Sequence, residues 1–223
     1  MRFSIIIPTL NEEIWIDKII KRLKNMRDNL QIIVVDGGST DQTILKARQT
    51  GVKVIRSKKG RGTQFNKGAE KAEGEIFLFL HADTILPRNA FNILDEYFSE
   101  PDNKIAKFKI RFIPSTLLLD FLWVVTRFDT FLTSFGDQCI VIRKDFFSKI
   151  GGFPDWPLFE DVELFQKARR YTNVNSLPGT VFSSSRRFVK NGVIRQLCWN
   201  AWLIFLYIVG VNTKKIAELY SKV

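Results

Sequence analysis

The chain is poor in the residues that build metal clusters and covalent staples. Its 223 residues hold two cysteines, Cys139 and Cys198, and one histidine, His81. With no C-x-x-C spacing, a disulfide scaffold, a zinc ribbon and a zincin site are excluded. Long hydrophobic runs are also lacking. The longest, Leu197 to Val211, covers 15 residues and is interrupted by Asn200, short of the ~18–20 a spanning helix needs. The opening Met1-Arg2-Phe3-Ser4 runs straight into Ile5-Ile6-Ile7-Pro8, without the tripartite pattern of a secretory signal, so none is expected. Phosphate-binding glycine loops are missing too. Gly60-Arg61-Gly62 has Phe65 where G-x-G-x-x-G needs its third glycine, and no G-K-[ST] occurs, which disfavours a Rossmann dehydrogenase and a P-loop enzyme. Finally, acids are scarce: 23 Asp and Glu stand against 34 Lys and Arg, a net charge of +11. Such a surplus suggests an anionic partner, whether nucleic acid, nucleotide phosphates or acidic lipid.

What is present is the composition of a globular protein, 45% apolar and 26% charged, long enough to bury a large core as one domain. The first hundred residues alternate strand and helix. Ser4–Ile7 is a β-branched run ended by Pro8, and Thr9-Leu10-Asn11-Glu12 fits a capping box before a periodic helix through about Met26. Ile32–Val35 is a second apolar strand, followed by the turn Asp36-Gly37-Gly38-Ser39-Thr40-Asp41, a helix near Gln42–Gln49 and a strand at Lys53–Arg56. Lys58 to Gly62 is a basic loop, Thr63–Glu73 is helical up to Gly74, and Glu75–Leu80 is an apolar strand ending at His81-Ala82-Asp83-Thr84. Pro87 is then predicted as the first residue of a helix. Continuously apolar strands between helices imply a mostly parallel sheet covered on both faces, which binds ligands beyond the carboxyl ends of its strands. That rule places Asp36 and Asp83 on one rim.

The second half has a different pattern. Ile105–Phe112 alternates as a half-exposed strand does, with Lys107, Lys109 and Arg111 against Phe108, Ile110 and Phe112. An aromatic helix is predicted at about 116–133, and Gly136-Asp137-Gln138 leads into a strand at Cys139–Ile142. Gly151-Gly152-Phe153-Pro154 is a tight loop, Pro157 precedes a helix that begins near Glu160-Asp161, Val181–Phe188 reads as a strand, and the chain is helical from about Gly192.

Several of these positions can carry chemistry. Lys58, Lys59 and Arg61 suit a diphosphate, or form a solvated turn. Asp36 with its glycines lets a ligand approach closely, or only makes a turn with Asp41 capping the next helix. His81-Ala82-Asp83, a D-x-D-like element after a buried strand, suits a hard divalent cation held by one carboxylate plus substrate phosphate oxygens. His81 is either a second ligand or a partner for backbone groups. Adjacent carboxylates at Glu160-Asp161 raise each other's proton affinity, as a general base requires, or serve the helix dipole.

Together these pieces resemble glycosyltransferase family 2, inverting enzymes of GT-A fold. The matching elements, in order, are Ile5-Ile6-Ile7-Pro8-Thr9-Leu10-Asn11-Glu12, Ile33-Val34-Val35-Asp36-Gly37-Gly38-Ser39-Thr40-Asp41, Leu78-Phe79-Leu80-His81-Ala82-Asp83-Thr84, and Gly151-Gly152-Phe153 with Glu160-Asp161. The spellings Asp36-Gly37-Gly38-Ser39, Gly60-Arg61-Gly62, His81-Ala82-Asp83-Thr84, Gly136-Asp137-Gln138 and Glu160-Asp161-Val162-Glu163-Leu164 are similar to a narrower group, small bacterial enzymes labelled arsenosugar-biosynthesis-associated glycosyltransferases. The resemblance implies a single GT-A domain over 1–223, with a nucleotide-sugar half over about 1–100 and an acceptor half with C-terminal helices over 101–223. It implies a UDP- or GDP-linked sugar donor and Mg2+ or Mn2+. Pro8, Thr9 and Glu12 would line the nucleotide pocket and Asp36 would contact base or ribose. Gly38, Arg61, Asn66, Ala82, Asp137, Gln138 and Arg186 would complete the donor site. Asp83, with His81, would hold the metal. Asp161, beside Glu160, would be the catalytic base.

Two departures stand out. His81 replaces the first acid of D-x-D. The Q-x-x-R-W of processive synthases is absent, since Gln196 is followed by Leu197-Cys198-Trp199-Asn200, which argues for transfer of one sugar. A nucleotidyltransferase acting on a sugar phosphate would need a basic, glycine-bearing first loop, whereas Pro8-Thr9-Leu10-Asn11-Glu12 is acidic and has no glycine. A non-catalytic membrane-associated nucleotide-sugar-binding protein would lack Asp83 or Asp161, and both are present. Nucleic-acid binding is not expected, because no motif accompanies the charge. The acceptor is a small molecule or is lipid-linked. Arg186, Arg187, Lys190, Arg195, Lys214 and Lys215 around the apolar segments 117–135 and 197–211 suit an anionic bilayer. The expected setting is the cytoplasm, with the inner face of the plasma membrane as a candidate surface.

Overall fold

The computed structural model describes residues 2–125 and 136–220. The chain begins with β1 (Phe3–Thr9), α1 (Ile16–Met26), β2 (Gln31–Asp36), α2 (Thr43–Gln49), β3 (Lys53–Arg56), α3 (Arg61–Ala69) and β4 (Ile76–Phe79). It continues with β5 (Thr84–Ile85), α4 (Ala90–Tyr97), β6 (Ile105–Ile113) and α5 (Leu117–Val125). A 3-10 turn at Gly136–Gln138 precedes β7 (Ile140–Arg143), α6 (Lys144–Lys149), α7 (Glu160–Arg169) and β8 (Asn175–Ser184). The described residues end with α8 (Arg186–Asn191), α9 (Val193–Ile208) and α10 (Thr213–Tyr220).

Among the described residues the strands form one 8-stranded sheet in the order β3-β2-β1-β4-β7-β6-β8-β5. β3, β2, β1 and β4 are mutually parallel. β7 runs antiparallel between β4 and β6, β8 lies parallel to β6, and β5 closes the edge antiparallel to β8. Successive side chains of a strand point to opposite faces, so each wholly apolar strand feeds two cores. Ile5, Ile7, Val34 and Leu78 face one core, against Ile16, Ile20 and Leu23 of α1 and Leu94 of α4. Ile6, Ile33, Val35 and Phe79 face the other, against Phe65 of α3 and Leu164 and Phe165 of α7. The buried residues of α1 recur at 16, 19, 20 and 23, one face of a helix.

Several local expectations fail for identifiable reasons. Pro8 does not end β1. Ile6 turns its carbonyl toward β4, accepting from the Leu80 N–H, so Pro8 faces the same way, beyond the last β1–β4 pair at Ile6 and Phe79. Its missing N–H therefore costs no ladder bond. The capping box is not formed: Thr9 ends the strand, α1 starts at Ile16, and no side chain caps it. Pro87 sits in the turn before α4, its carbonyl accepting from the Ala90 N–H. α3 begins at Arg61 and ends at Ala69, so Arg61 belongs to a first helical turn and not to the loop.

Lys107 is fully buried, Lys109 is half-buried, and exposure returns at Arg111. β8 covers Asn175–Ser184, and Phe188 lies in α8. The aromatic helix is described only as far as Val125, and the rest of its expected span lies outside the described residues. β5 and α6 were not anticipated. β5 nevertheless sets the site: the chain leaves β4, passes His81-Ala82-Asp83, and pairs Thr84 with Ser183 of β8. No helix among the described residues is long and apolar enough to cross a membrane.

Candidate active site

The strand tips converge on one rim. β1 ends near Glu12, β2 at Asp36, and β4 at His81-Ala82-Asp83. Because β7 is antiparallel, the Gly136–Gln138 turn before it stands at the same rim. The β5–β8 pairing carries Asp83 to the C-terminal end of β8, where Arg186 opens α8. Arg186 Nη2 lies 3.5 Å from Asp83 Oδ2. Its guanidinium also grips the Glu12 carboxylate with two bonds, Nη2 to Oε1 at 2.5 Å and Nη1 to Oε2 at 3.1 Å. The two-pronged geometry is the strong form of an arginine–carboxylate pair.

α7 brings Glu160 and Asp161 to the same place. Asp161 Oδ2 accepts from the Gly136 N–H, and Oδ1 accepts from its neighbour's Val162 N–H at 2.8 Å. A Cβ on Gly136 would lie 3.0 Å from Asp161 Oδ2, so glycine permits this approach. Gly62 of α3 plays the same part against the chain before α7: a Cβ there would stand 2.7 Å from the Pro154 carbonyl and 3.2 Å from Glu160 Cβ.

The electrostatics follow from burial and from Arg61. Burial alone would lower the Arg61 pKa, but the fields of Glu160, Asp137, Asp161 and Asp83 raise it above its ordinary value. Glu160, 3% exposed, is pushed up to about 7, by burial first and then by the charge of Asp161, against the pull of Arg61. Burial also raises Asp161, opposed by the Gly136 N–H and Arg61. Asp83 is raised by burial, with Asp137 adding and His81 and Arg186 opposing. Asp137 goes the other way. Burial would raise it, but His81, Arg61, Arg187 and Arg186 together hold it low. His81 is lowered, by burial first, against the fields of Asp137 and Asp83.

These residues can be tested as a cation site. Among the described residues no group of three or more His, Cys, Asp and Glu side chains could hold a metal by itself. Yet His81 Nε2 is buried without a hydrogen bond, 3.4 Å from Asp137 Oδ1, and Asp83 stands at the end of the same short segment. Such a set fits a divalent ion that takes part of its shell from phosphate oxygens.

Other expected site residues serve the walls. Asp36 is fully buried. Its oxygens accept from the Gly38 and Ser39 N–H groups at 2.9 and 3.0 Å, from Ser39 Oγ at 2.5 Å and from Thr9 Oγ1 at 3.3 Å. Its carboxylate therefore builds the turn, and no free acceptor is left for base or ribose. Thr9 and Pro8 are buried beside it. Asn66 pins the glycine loop: Nδ2 donates to the Phe153 carbonyl at 2.8 Å and Oδ1 accepts from the Phe153 N–H at 3.0 Å. These two hydrogen bonds engage both ends of the Asn66 amide with the loop. Ala82 and Gln138 are buried at the rim, and Gly38 is in the left-handed region at φ 103°.

Sequence reasoning missed Gln64, which ties the tips of β1 and β2 by donating Nε2 to the Thr9 and Val35 carbonyls at 3.0 and 2.7 Å. Its signal was a buried helical face shared with Phe65 and Gly68. Arg187, which the sequence sets among the basic residues beside the apolar segments, also lays its charge on Asp137.

A family model, Glycosyl transferase family 2, matches residues 4–131. The probable glycosyltransferase YdaM of Bacillus subtilis (strain 168) is 26% identical over 190 residues, covering 73% of this chain and 45% of that protein. Among solved structures, S. aureus TarS 1-349 superposes with a TM-score of 0.66 at 21% identity, over 83% of this chain and 61% of that one. The same TarS fragment has been solved in complex with UDP-GlcNAc. The mannosyltransferase PcManGT from Pyrobaculum calidifontis, in complex with GDP-Man and Mn2+, gives a TM-score of 0.65 at 20% identity, over 82% of this chain and 56% of that one. The chain thus spans about half the length of these relatives.

Proposed function

The chain belongs to glycosyl transferase family 2 and has the GT-A fold, and from that premise we propose that it moves one sugar from a nucleoside-diphosphate sugar to an acceptor hydroxyl with inversion. The supporting observation is the convergence at one strand-tip rim of a carboxylate pair, buried Glu160 and half-buried Asp161, and a cation-capable tip, His81-Ala82-Asp83, with Arg186 beside Asp83 and the charge of Arg61 acting on both.

The donor half is residues 1–100 and the acceptor half residues 101–223. A UDP- or GDP-linked donor lies over the turn that Asp36 holds, with Glu12, Gly38 and Ala82 lining its pocket. Arg186 exchanges the Glu12 carboxylate for diphosphate oxygens, and Arg61 sets the field around them. Asp83, with His81, would hold Mg2+ or Mn2+. A divalent ion bound there would stabilise the negative charge that builds on the leaving diphosphate. Asp161, oriented by the Gly136 N–H, takes the acceptor proton on the face opposite the leaving group. Burial raises the Asp161 carboxyl above its ordinary value, toward the range where a general base works best. The acceptor is a small-molecule or lipid-linked hydroxyl, and an anionic membrane surface answers the charge that the cleft leaves over.

A hydrolysis and transfer screen of nucleotide sugars with Mg2+ or Mn2+ tests this reading on the wild type and Asp161→Asn. The expected result is turnover of one donor by the wild type, retained nucleotide binding by Asp161→Asn, and loss of transfer. Equal turnover by both would overturn the base assignment.

A further inference from the structure

The C-terminal helices carry an apolar surface that the cleft does not use. α9 turns Ile194, Trp202, Phe205 and Ile208 to solvent, and Val209, which caps it, is exposed too; the four helical positions fall on one face. Trp202 and Phe205 stack with ring centroids 5.5 Å apart. The opposite face packs inward through Leu203. α5 behaves alike: Leu117 is 91% and Phe121 65% exposed, while Leu119 is buried. The two stripes meet at an apolar hollow of about 700 Å3 between Thr116–Leu118 and Gly192–Arg195. Contiguous exposed apolar surface of this kind marks an interaction site.

Charge identifies the partner. From Leu164 to Ala217 the sequence contains nine Lys and Arg and no Asp or Glu. Exposed Lys190 and Arg195 stand at one end of α9, and exposed Lys214 and Lys215 follow its other end. A second copy docking through this face would set like charges against like. An anionic lipid surface neutralises them and takes up the aromatic stripe.

We propose that the face formed by α5 and α9 docks in the headgroup layer of an anionic phospholipid bilayer. The proposal rests on the transferase reading for its purpose. The six residues of α8 connect Arg186 in the cleft to Gly192 before α9, so a docked chain holds its cleft at the bilayer surface, within reach of acceptors there.

Co-sedimentation of the full chain with vesicles, without nucleotide, tests this. Vesicles of equal parts phosphatidylcholine and phosphatidylglycerol should bind it, phosphatidylcholine alone far less, and salt should weaken the binding. Trp202→Ser with Phe205→Ser should weaken it at least tenfold. Lys214→Ala and Lys215→Ala should each cost about fivefold, with the circular dichroism spectrum unchanged in all variants. Equal binding to both vesicles, or to neither, would overturn the proposal. So would a concentration-dependent dimer that Trp202→Ser with Phe205→Ser dissolves. Because the assay contains no nucleotide, a chain that docks yet binds no nucleotide sugar would overturn the transferase reading and bear out this one.

Discussion

The sheet and the C-terminal helices are both rich in apolar residues and use them in opposite ways. In β1, β2 and β4 the apolar residues are buried almost without exception, divided between two cores. Around α9 and α10 the cluster has four buried members, Phe159, Val162, Leu203 and Ile216, while Trp202 and Phe205 on α9 stand half in solvent. The difference lies in the neighbours. A strand inside a sheet is covered on both faces by helices, whereas α9 has the protein on one face alone. Hydrophobicity in the sheet therefore specifies a fold, and hydrophobicity on α9 specifies a surface.

Substitutions can break or sharpen that contrast. The largest effect belongs to the sheet rim: Asp161→Asn should cost about 10²–10⁴ in turnover, read by steady-state transfer, with little change in melting. Arg186→Ala, at the border between the regions, should raise the donor KM about tenfold or more, by removing a charge-assisted contact to phosphate. Gly68→Ala should destabilise by about 1–3 kcal/mol, measured by denaturant melts, because its Cβ would stand 2.2 Å from Ile6 Cγ2 in the interface of α3 with β1. Glu160→Gln probes pH. With the Glu160 carboxyl raised from 4.5 to about 7, the native state holds a proton that the unfolded chain has lost, so stability declines as pH rises across that window. Glu160→Gln should flatten this decline in melts and move the acid limb of the rate profile downward. The smallest effect belongs to the outer face. Trp202→Ser with Phe205→Ser should leave turnover of a soluble acceptor unchanged.

The parallel half was legible because its strands are apolar throughout and its turns carry Asp, Gly and Thr at fixed places. β3 falls at the residues its pattern predicts, Lys53–Arg56. The rest was hidden by context. β5 has two residues and no period. Lys107 looks like a solvent residue, yet the folded chain buries it fully. Asp36 and Asn66 have the chemistry of ligand contacts, and the folded chain spends it on a turn and a loop. The joining of Asp83 to Arg186 depends on a pairing 99 residues apart, Thr84 with Ser183, which no local signal reports.

The clasp between Glu12 and Arg186 joins β1 to the end of β8, strands separated in the sheet by β4, β7 and β6. The rim is therefore a closed ring whose last link is an ion pair with its arginine half exposed. The pair is two-pronged and its Glu12 carboxylate is largely buried, so it holds the ring more firmly than a fully exposed pair, which contributes about 0–1 kcal/mol. In the proposed function, an arriving diphosphate would compete with that one carboxylate to become the new link.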